Sequence, residues 1–315
     1  MSSSSSSSLL RSVLFGTKPE HRWISLLLFL GIFSVVLLCW KRLDFASVHE
    51  GFQQETPFVY RSGTEEVFAD PMYAFYYDRL MLPQDILDNV TTQVVALTQP
   101  SKSRSSILDV GSGTGTLAAS LARQGYVVYG VDQSTTMIDH AKAKYEEDIP
   151  TLRFQRGDAL EPMLWESGSF SHVLCTGFTY YTVQNKRRLL ENCFHWLRPG
   201  GYLVLHLMDY KTFTMIVPGG RPPVPVKSSK RIVNTVINFV DFEYKANYAF
   251  PSDGSMKLRE SFTDGLTKNV RVFEQTMAVE PVRDTLELAV RCGFTGQGFA
   301  AFQHDAHQYL YVFVK

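Results

Sequence analysis

The sequence predicts an α/β protein: a doubly wound, mostly parallel sheet with an antiparallel β addition in its C-terminal third and one N-terminal transmembrane helix. Three observations predict it. Over residues 107–208, short apolar, β-branched runs alternate with amphipathic helical stretches, the order of a parallel sheet covered on both faces. Over residues 240–279, polar and apolar residues alternate between Asp-Gly turns, the pattern of antiparallel strands. Residues 24–40 are almost wholly apolar.

From the N terminus, residues 2–8 are a serine run with nothing to bury, so residues 1–23 are expected to form a disordered tail. As a helix, residues 24–40 would span about 26 Å, slightly less than a typical ~30 Å hydrocarbon core. Trp23 and Trp40, with Arg22, Lys41 and Arg42 just outside, supply interfacial anchors, and Lys41-Arg42 makes a poor signal-cleavage context. Basic residues flank both ends, so charge barely sets the orientation. Residues 43–62 show no periodicity, and 41–69 are read as a linker to a domain at 70–315. Residues 70–82 are unusually aromatic, and Tyr73, Tyr76 and Tyr77 are candidates to cover a ligand or simply the core. Residues 83–97 form a helix with Ile86, Val90, Val94 and Leu97 on one stripe.

Residues 107–115, Ile-Leu-Asp-Val-Gly-Ser-Gly-Thr-Gly, carry the most information. A short strand holds Asp109 and breaks into glycines at every second position, and 116–123 continue at helical spacing. Glycine permits positive φ and close ligand approach, and the turn aims free N–H groups of the next helix at whatever sits above it. Such a loop binds a nucleotide-like cofactor. A dinucleotide fingerprint wants a small residue where Thr116 stands. Further strands are expected at 127–131, ending in Asp132; at 152–156, ending in Gly157-Asp158-Ala159; and at 169–176. Residues 185–196 form an amphipathic helix, and Leu197-Arg198-Pro199-Gly200-Gly201 turns into a fifth strand, 202–208. Ligands bind at the carboxyl ends of such strands, where Asp109, Gly111, Asp132, Asp158 and Thr176 all fall.

The Gly-x-Gly-x-Gly turn behind Asp109, the acidic tip Asp132, Gly157-Asp158-Ala159 and the Leu-Arg-Pro-Gly-Gly turn resemble the class I S-adenosylmethionine-dependent methyltransferases, over roughly residues 70–208. The resemblance implies a Rossmann-like methyltransferase fold. It implies S-adenosyl-L-methionine as cofactor, held by Asp109, Gly111, Gly113, Gly115, Asp132, Asp158, Ala159 and Thr176. Asp132 would accept hydrogen bonds from both ribose hydroxyls, or else cap the helix that starts near Ser134. Asp158 would meet the adenine edge, or else serve turn chemistry. The resemblance also implies a covering helix at 70–82 and substrate placement by residues 176–181. The Asn- or Asp-Pro-Pro-Tyr of base-amino methyltransferases is absent there. Tyr180 and Tyr181 could wall in a sulfonium or ammonium group, or be ordinary loop aromatics. Because the cofactor is a cytosolic metabolite, the catalytic domain is expected on the cytosolic side.

Methyl transfer needs alignment above all, worth roughly 7–11 kcal/mol in favourable cases. A general base is required only where the acceptor must lose a proton. His206 and Asp209, at the tip of the fifth strand, and Tyr180 are the candidates; His172 lies at the wrong end of its strand. A β insertion of about three strands is expected within residues 211–280, then a helix at 284–292 and a closing hairpin from 294–302 and 308–314. Residues 217–229, rich in proline and glycine, read as a loop. Formal charge is zero, from 31 basic and 31 acidic residues without a basic tract, so nucleic acid is not an expected partner. The four cysteines form neither a disulfide framework nor, with histidines, a metal-ligand spacing, and no metal is expected. The resulting expectation is a single-pass, membrane-anchored methyltransferase acting on a small-molecule or lipid-like acceptor. An NAD-dependent oxidoreductase of Rossmann type and a non-catalytic methyltransferase-like membrane protein are the alternatives.

Overall fold

The computed structural model describes residues 30–34, 57–213, 216–220, 234–303 and 305–315. The chain divides into two units, Met1–Glu55 and Thr56–Lys315. In the first, the described residues 30–34 are helical. The tail expected at 1–23 and most of the apolar stretch 24–40 lie outside the described residues. Among the described residues, no helix is long and apolar enough to cross a membrane.

The second unit is built on a seven-stranded sheet. Its strands are β2 (Ser106–Val110), β3 (Val127–Asp132), β4 (Leu152–Arg156), β5 (Phe170–Cys175), β6 (Leu197–Met208), β11 (Thr295–Phe302) and β12 (Asp305–Val314), in the order β11-β12-β6-β5-β2-β3-β4. The pairs among β2 to β6 are parallel, and the closing hairpin adds β12 antiparallel to β6. All six residues of β5 are buried, as befits a central strand covered on both faces. Ile86, Val90 and Val94 of α3 (Gln84–Thr98) pack in one core with Leu117 and Leu121 of α4 (Thr116–Arg123) and with Leu310 and Val312. Strand order reverses between β2 and β5, which opens a crevice above their carboxyl ends.

A second, five-stranded sheet runs β1 (Phe58–Ser62), β10 (Val270–Ala278), β9 (Ser255–Asp264), β8 (Phe242–Ala249) and β7 (Asn234–Asn238). The insertion holds four strands where about three were expected: β7 (Asn234–Asn238), β8 (Phe242–Ala249), β9 (Ser255–Asp264) and β10 (Val270–Ala278). β7 is an edge strand in which only Thr235 is buried, so it lacks a clear alternation. Part of the segment read as a linker is also structured: β1 (Phe58–Ser62) pairs parallel with β10, and α1 (Thr64–Phe68) follows. Phe-Val-Tyr-Arg-Ser is almost wholly exposed, and its partner lies at the far end of the chain, so no local pattern marks it. Helix α6 (Val282–Arg291) then leads into the hairpin.

Between this sheet and the crevice lies α2 (Pro71–Met81). Asp70 starts it by accepting from the Met72 and Tyr73 amides, while its other oxygen pairs with Arg271 of β10 at 2.9 Å in a fully buried setting. Of the loop expected at 217–229, only 217–220 are described; Pro218–Gly220 forms a 3-10 turn against the backbone of Arg79 and Leu80.

Candidate active site

The glycine turn places its three glycines at φ 68, 53 and 77, all left-handed. Their surroundings differ. A Cβ on Gly111 would run into the Thr179 side chain, and one on Gly115 into the ring of Phe154. At Gly113 a Cβ would meet no protein atom within 4 Å. Gly113 therefore faces open cleft, whereas Gly115 serves packing and lines neither compartment of that cleft.

Asp132 braces the same loop. One carboxylate oxygen accepts from the Gly113 amide at 3.0 Å and the other from the Ser134 amide at 2.9 Å. The cap of α5 (Thr135–Ala141) is Ser134, whose Oγ accepts from the Met137 amide. The capping alternative thus falls to Ser134, and Asp132 lines the cleft. Burial raises the pKa of Asp132, against the pull of these amide donors. Asp109 is only 2% exposed; burial first, and the Asp132 charge second, push its carboxyl up to about 7. Asp158 accepts from the Leu160 amide at 2.9 Å, the turn chemistry considered for it, and with Ala159 it also lines the cleft.

The cleft has two compartments that meet at Tyr77, Gly111, Gly113, Gly177 and Thr179. The polar one adds Asp132, Gln133, Asp158 and Gln184. The apolar one adds Met81, Leu82, Ile86, Val90, Phe178 and Phe302, with Asp109, Thr176, His206 and Gln308 as polar points. Among the described residues, neither lining contains lysine or arginine.

Of the three tyrosines expected to cover either a ligand or the core, only Tyr77 reaches the cleft. Tyr73 instead donates to Glu260 at 2.7 Å and accepts from Gln275 at 2.9 Å, and the Tyr76 ring packs 4.7 Å from that of Phe242. Both serve the second sheet, which sequence reading reduced to an appendage. Tyr180 and Tyr181 also lie away from the cleft. Tyr180 donates to Glu280 at 2.9 Å, and Tyr181 accepts from the Met208 amide at 2.9 Å. The cation facing their rings is the protein's own Lys186, with Nζ at 4.8 and 5.3 Å from the centroids. Asp209 closes a turn by accepting from the Lys211 amide and the Thr212 hydroxyl, and does not line the cleft. His172 is buried beside Ser171, its pKa driven down to about 4 by desolvation. His206 does line the cleft, with Nε2 3.0 Å from Gln308 Oε1.

Two contributors were missed. Asp78, on α2, accepts from the hydroxyls of Thr114 and Thr116 and pairs with Lys144 at 2.9 Å. This explains Thr116, which ties the covering helix to the glycine loop where a dinucleotide fold would need a small residue. The Tyr-Asp pair in an aromatic helix was the available signal. Gln308 was the other, hidden because it reaches the cleft from a hairpin nearly at the chain's end. Among the described residues, no group of three or more His, Cys, Asp or Glu could hold a metal ion.

Residues 107–201 match a family described as "Methyltransferase domain". That match marks a methyltransferase domain at residues 107–201, under a third of the chain. The chain is similar to the ubiquinone biosynthesis O-methyltransferase of Coxiella burnetii, with 30% identity over 115 residues, 36% of this chain and 48% of that one. It therefore spans about half the length of this relative. In structure it resembles the CcbJ methyltransferase from Streptomyces caelestis, with TM-score 0.59 and 18% identity over 79% of this chain and 97% of that one. It also resembles SAM-bound CalS10, an amino pentose methyltransferase from Micromonospora echinaspora, with TM-score 0.53 and 18% identity over 76% and 94%. These likenesses establish the Rossmann-like methyltransferase fold. The cofactor of the domain is S-adenosylmethionine, and the cleft fits it. Gly113 leaves the backbone open to an adenosine-sized group, and three carboxylates face a cationic ligand. The methyltransferase match stands against the oxidoreductase alternative.

Proposed function

We propose that the protein transfers the methyl group of S-adenosylmethionine to a small, largely apolar or lipid-like acceptor at a membrane surface, anchored there by residues 24–40 with the catalytic domain on the cytosolic side. The observation that carries the reading is the division of one cleft, at Gly113, into an acidic compartment and an apolar one. Asp132 and Asp158 suit the adenosine end, and Asp109 and Thr176 the cationic methionine end. When bound, the cofactor supplies an electrophilic methyl group on a good leaving group. The residues contribute alignment, exclusion of water beneath Tyr77 and α2, and a negative field opposite the cation. The apolar compartment fits an acceptor with an oily body, and the Coxiella relative, named for ubiquinone biosynthesis, supports that class. The apolar stretch at 24–40 supports the anchor.

Titration of the full-length chain by isothermal calorimetry with S-adenosylhomocysteine and with NAD tests the cofactor. A heat signal with the first alone is expected; no signal with it overturns the reading. For the anchor, the full-length chain should float with phosphatidylcholine vesicles at high salt, and Leu28→Arg with Leu37→Arg should abolish flotation. Flotation unchanged by the two charges would remove the anchor from the proposal.

A further inference from the structure

Independently of the methyltransferase reading, we infer that the amino ends of β2, β5 and β6 form a second binding site, which takes the dianion of a phosphate monoester between Arg104 and Arg198. The candidate active site lies above the carboxyl ends of the sheet. This cleft opens at the other end, between the segment entering β2, the start of β5 and residues 198–202 of β6. It has a volume of about 410 Å³ and shares no lining residue with either compartment of the candidate active site.

The lining is electrostatically one-sided. Arg104 and Arg198 both belong to it, and among the described lining residues there is no carboxylate. Arg198 Nη2 donates to the Arg104 carbonyl at 2.8 Å, which draws one guanidinium against the backbone that carries the other. Arg198 Nε is buried and has no partner among the described residues. A buried N–H without an acceptor is costly, and on a cation more so, so this hydrogen calls for an anionic acceptor. A hydroxyl adds to the donors. Ser105 Oγ accepts from the Ser101 amide at 2.9 Å, which leaves its own hydrogen for a ligand.

Charge and size select the ligand. Burial drives the pKa of His172 down to about 4, with the Arg198 charge adding to it, so this lining ring is neutral at pH 7. The two guanidiniums then carry the lining charge. A phosphate monoester, at about −1.5 to −2 near pH 7, matches it, whereas a carboxylate or a phosphodiester brings a single charge. Guanidinium forks also suit pairs of phosphate oxygens. Bare phosphate would fill only a part of a cleft whose 410 Å³ falls within the roughly 300–1,000 Å³ of small-molecule sites. The remaining space is walled by His172 and Tyr202, stacked at 5.3 Å, and suits the organic part of an ester.

The test titrates the full-length chain with phenyl phosphate and with inorganic phosphate by isothermal calorimetry at constant ionic strength. Phenyl phosphate should bind about threefold or more tightly than inorganic phosphate, through its buried ring. Arg198→Gln should weaken phenyl phosphate about tenfold, the loss of one bond to a charged group. Arg104→Gln, at an exposed side chain, should weaken it about fivefold and leave the melting temperature within about 2 °C, so that lost binding is not lost folding. A soluble ester and a lipid headgroup share this chemistry. Flotation of the Leu28→Arg, Leu37→Arg chain with phosphatidic acid vesicles separates them: flotation that Arg104→Gln removes assigns the headgroup, and flotation absent or indifferent to Arg104→Gln assigns a soluble ester. No heat with phenyl phosphate up to about 10 mM, affinity unchanged in both arginine variants, or no preference for the ester over inorganic phosphate overturns the inference.

Discussion

Replacing glycines of the turn one at a time should separate ligand binding from folding, because each faces something different. Gly113→Ala puts a methyl group where the protein has no atom within 4 Å. On folding it meets only the left-handed backbone at φ 53, a cost of about 1–2 kcal/mol. At about 2–4 °C per kcal/mol for a domain of this size, the melting temperature should fall by about 2–8 °C. The methyl group would project into the cleft at the junction of its compartments. Overpacking by one carbon costs about 1–3 kcal/mol, so S-adenosylhomocysteine affinity should fall about 5- to 150-fold. Gly115→Ala carries the same backbone cost and adds a collision with Phe154 and Ala141, for about 2–5 kcal/mol in all. Its melting temperature should fall further, while the protein that remains folded binds within a few-fold of normal. Calorimetric titration of both variants beside thermal melts decides the matter. Native affinity in Gly113→Ala, or a binding defect larger in Gly115→Ala, would refute the assignment of the cleft.

Other substitutions probe the carboxylates. Asp132→Ala removes the acceptor of the Gly113 and Ser134 amides along with the contact proposed for the ribose; at about 1.5–3 kcal/mol per bond to a charged group, affinity for S-adenosylhomocysteine should fall at least tenfold in calorimetry. Asp78→Ala frees Thr114 and Thr116 from the covering helix and should speed S-adenosylhomocysteine dissociation about tenfold by stopped flow, the equivalent of one such bond. Glu260, fully buried, has its pKa raised by burial from 4.5 to about 7, so with rising pH the unfolded chain loses this proton first. Stability should therefore decline between about pH 4.5 and 7 and level off above. Glu260→Gln should remove about 3 kcal/mol of that decline in urea titrations at pH 5 and 8; an unchanged pH slope would exclude Glu260 as its source.

Legibility in the sequence followed the range of the interactions. β2 to β6 and their helices could be read because each is a local pattern: an apolar run, a glycine turn, a helical stripe. The tips Asp109, Asp132 and Asp158 came with them, since their position follows from where strands end. The side chains of Tyr73, Tyr76, Tyr180 and Tyr181 could not be placed this way. An aromatic near a cleft has the same local sequence whether it faces ligand or core, and here the deciding partners, Glu260, Phe242, Glu280 and the Met208 amide, come from other elements. β1 shows the same limit, because a strand with almost every side chain exposed announces itself only through its partner. Gln308 shows it within the candidate site.

The second sheet matters to the cleft because α2 is fastened to both. At its start, Asp70 pairs with Arg271 and Tyr73 donates to Glu260; one to two turns later, Tyr77 lines the cleft and Asp78 holds the glycine loop. A helix of eleven residues is too short to bend between these ties, so the strands of the insertion set the position of the cover over the cofactor. The tie at Asp70 is also the costlier one to cut. A buried pair that loses one partner leaves a charge without compensation, at about 3–5 kcal/mol, whereas the half-exposed Lys144 contributes little to Asp78 through charge alone. The cover is thus anchored firmly on the sheet side and lightly on the loop side. That asymmetry places any opening for cofactor exchange at Asp78, Thr114 and Thr116, with α2 remaining on the sheet.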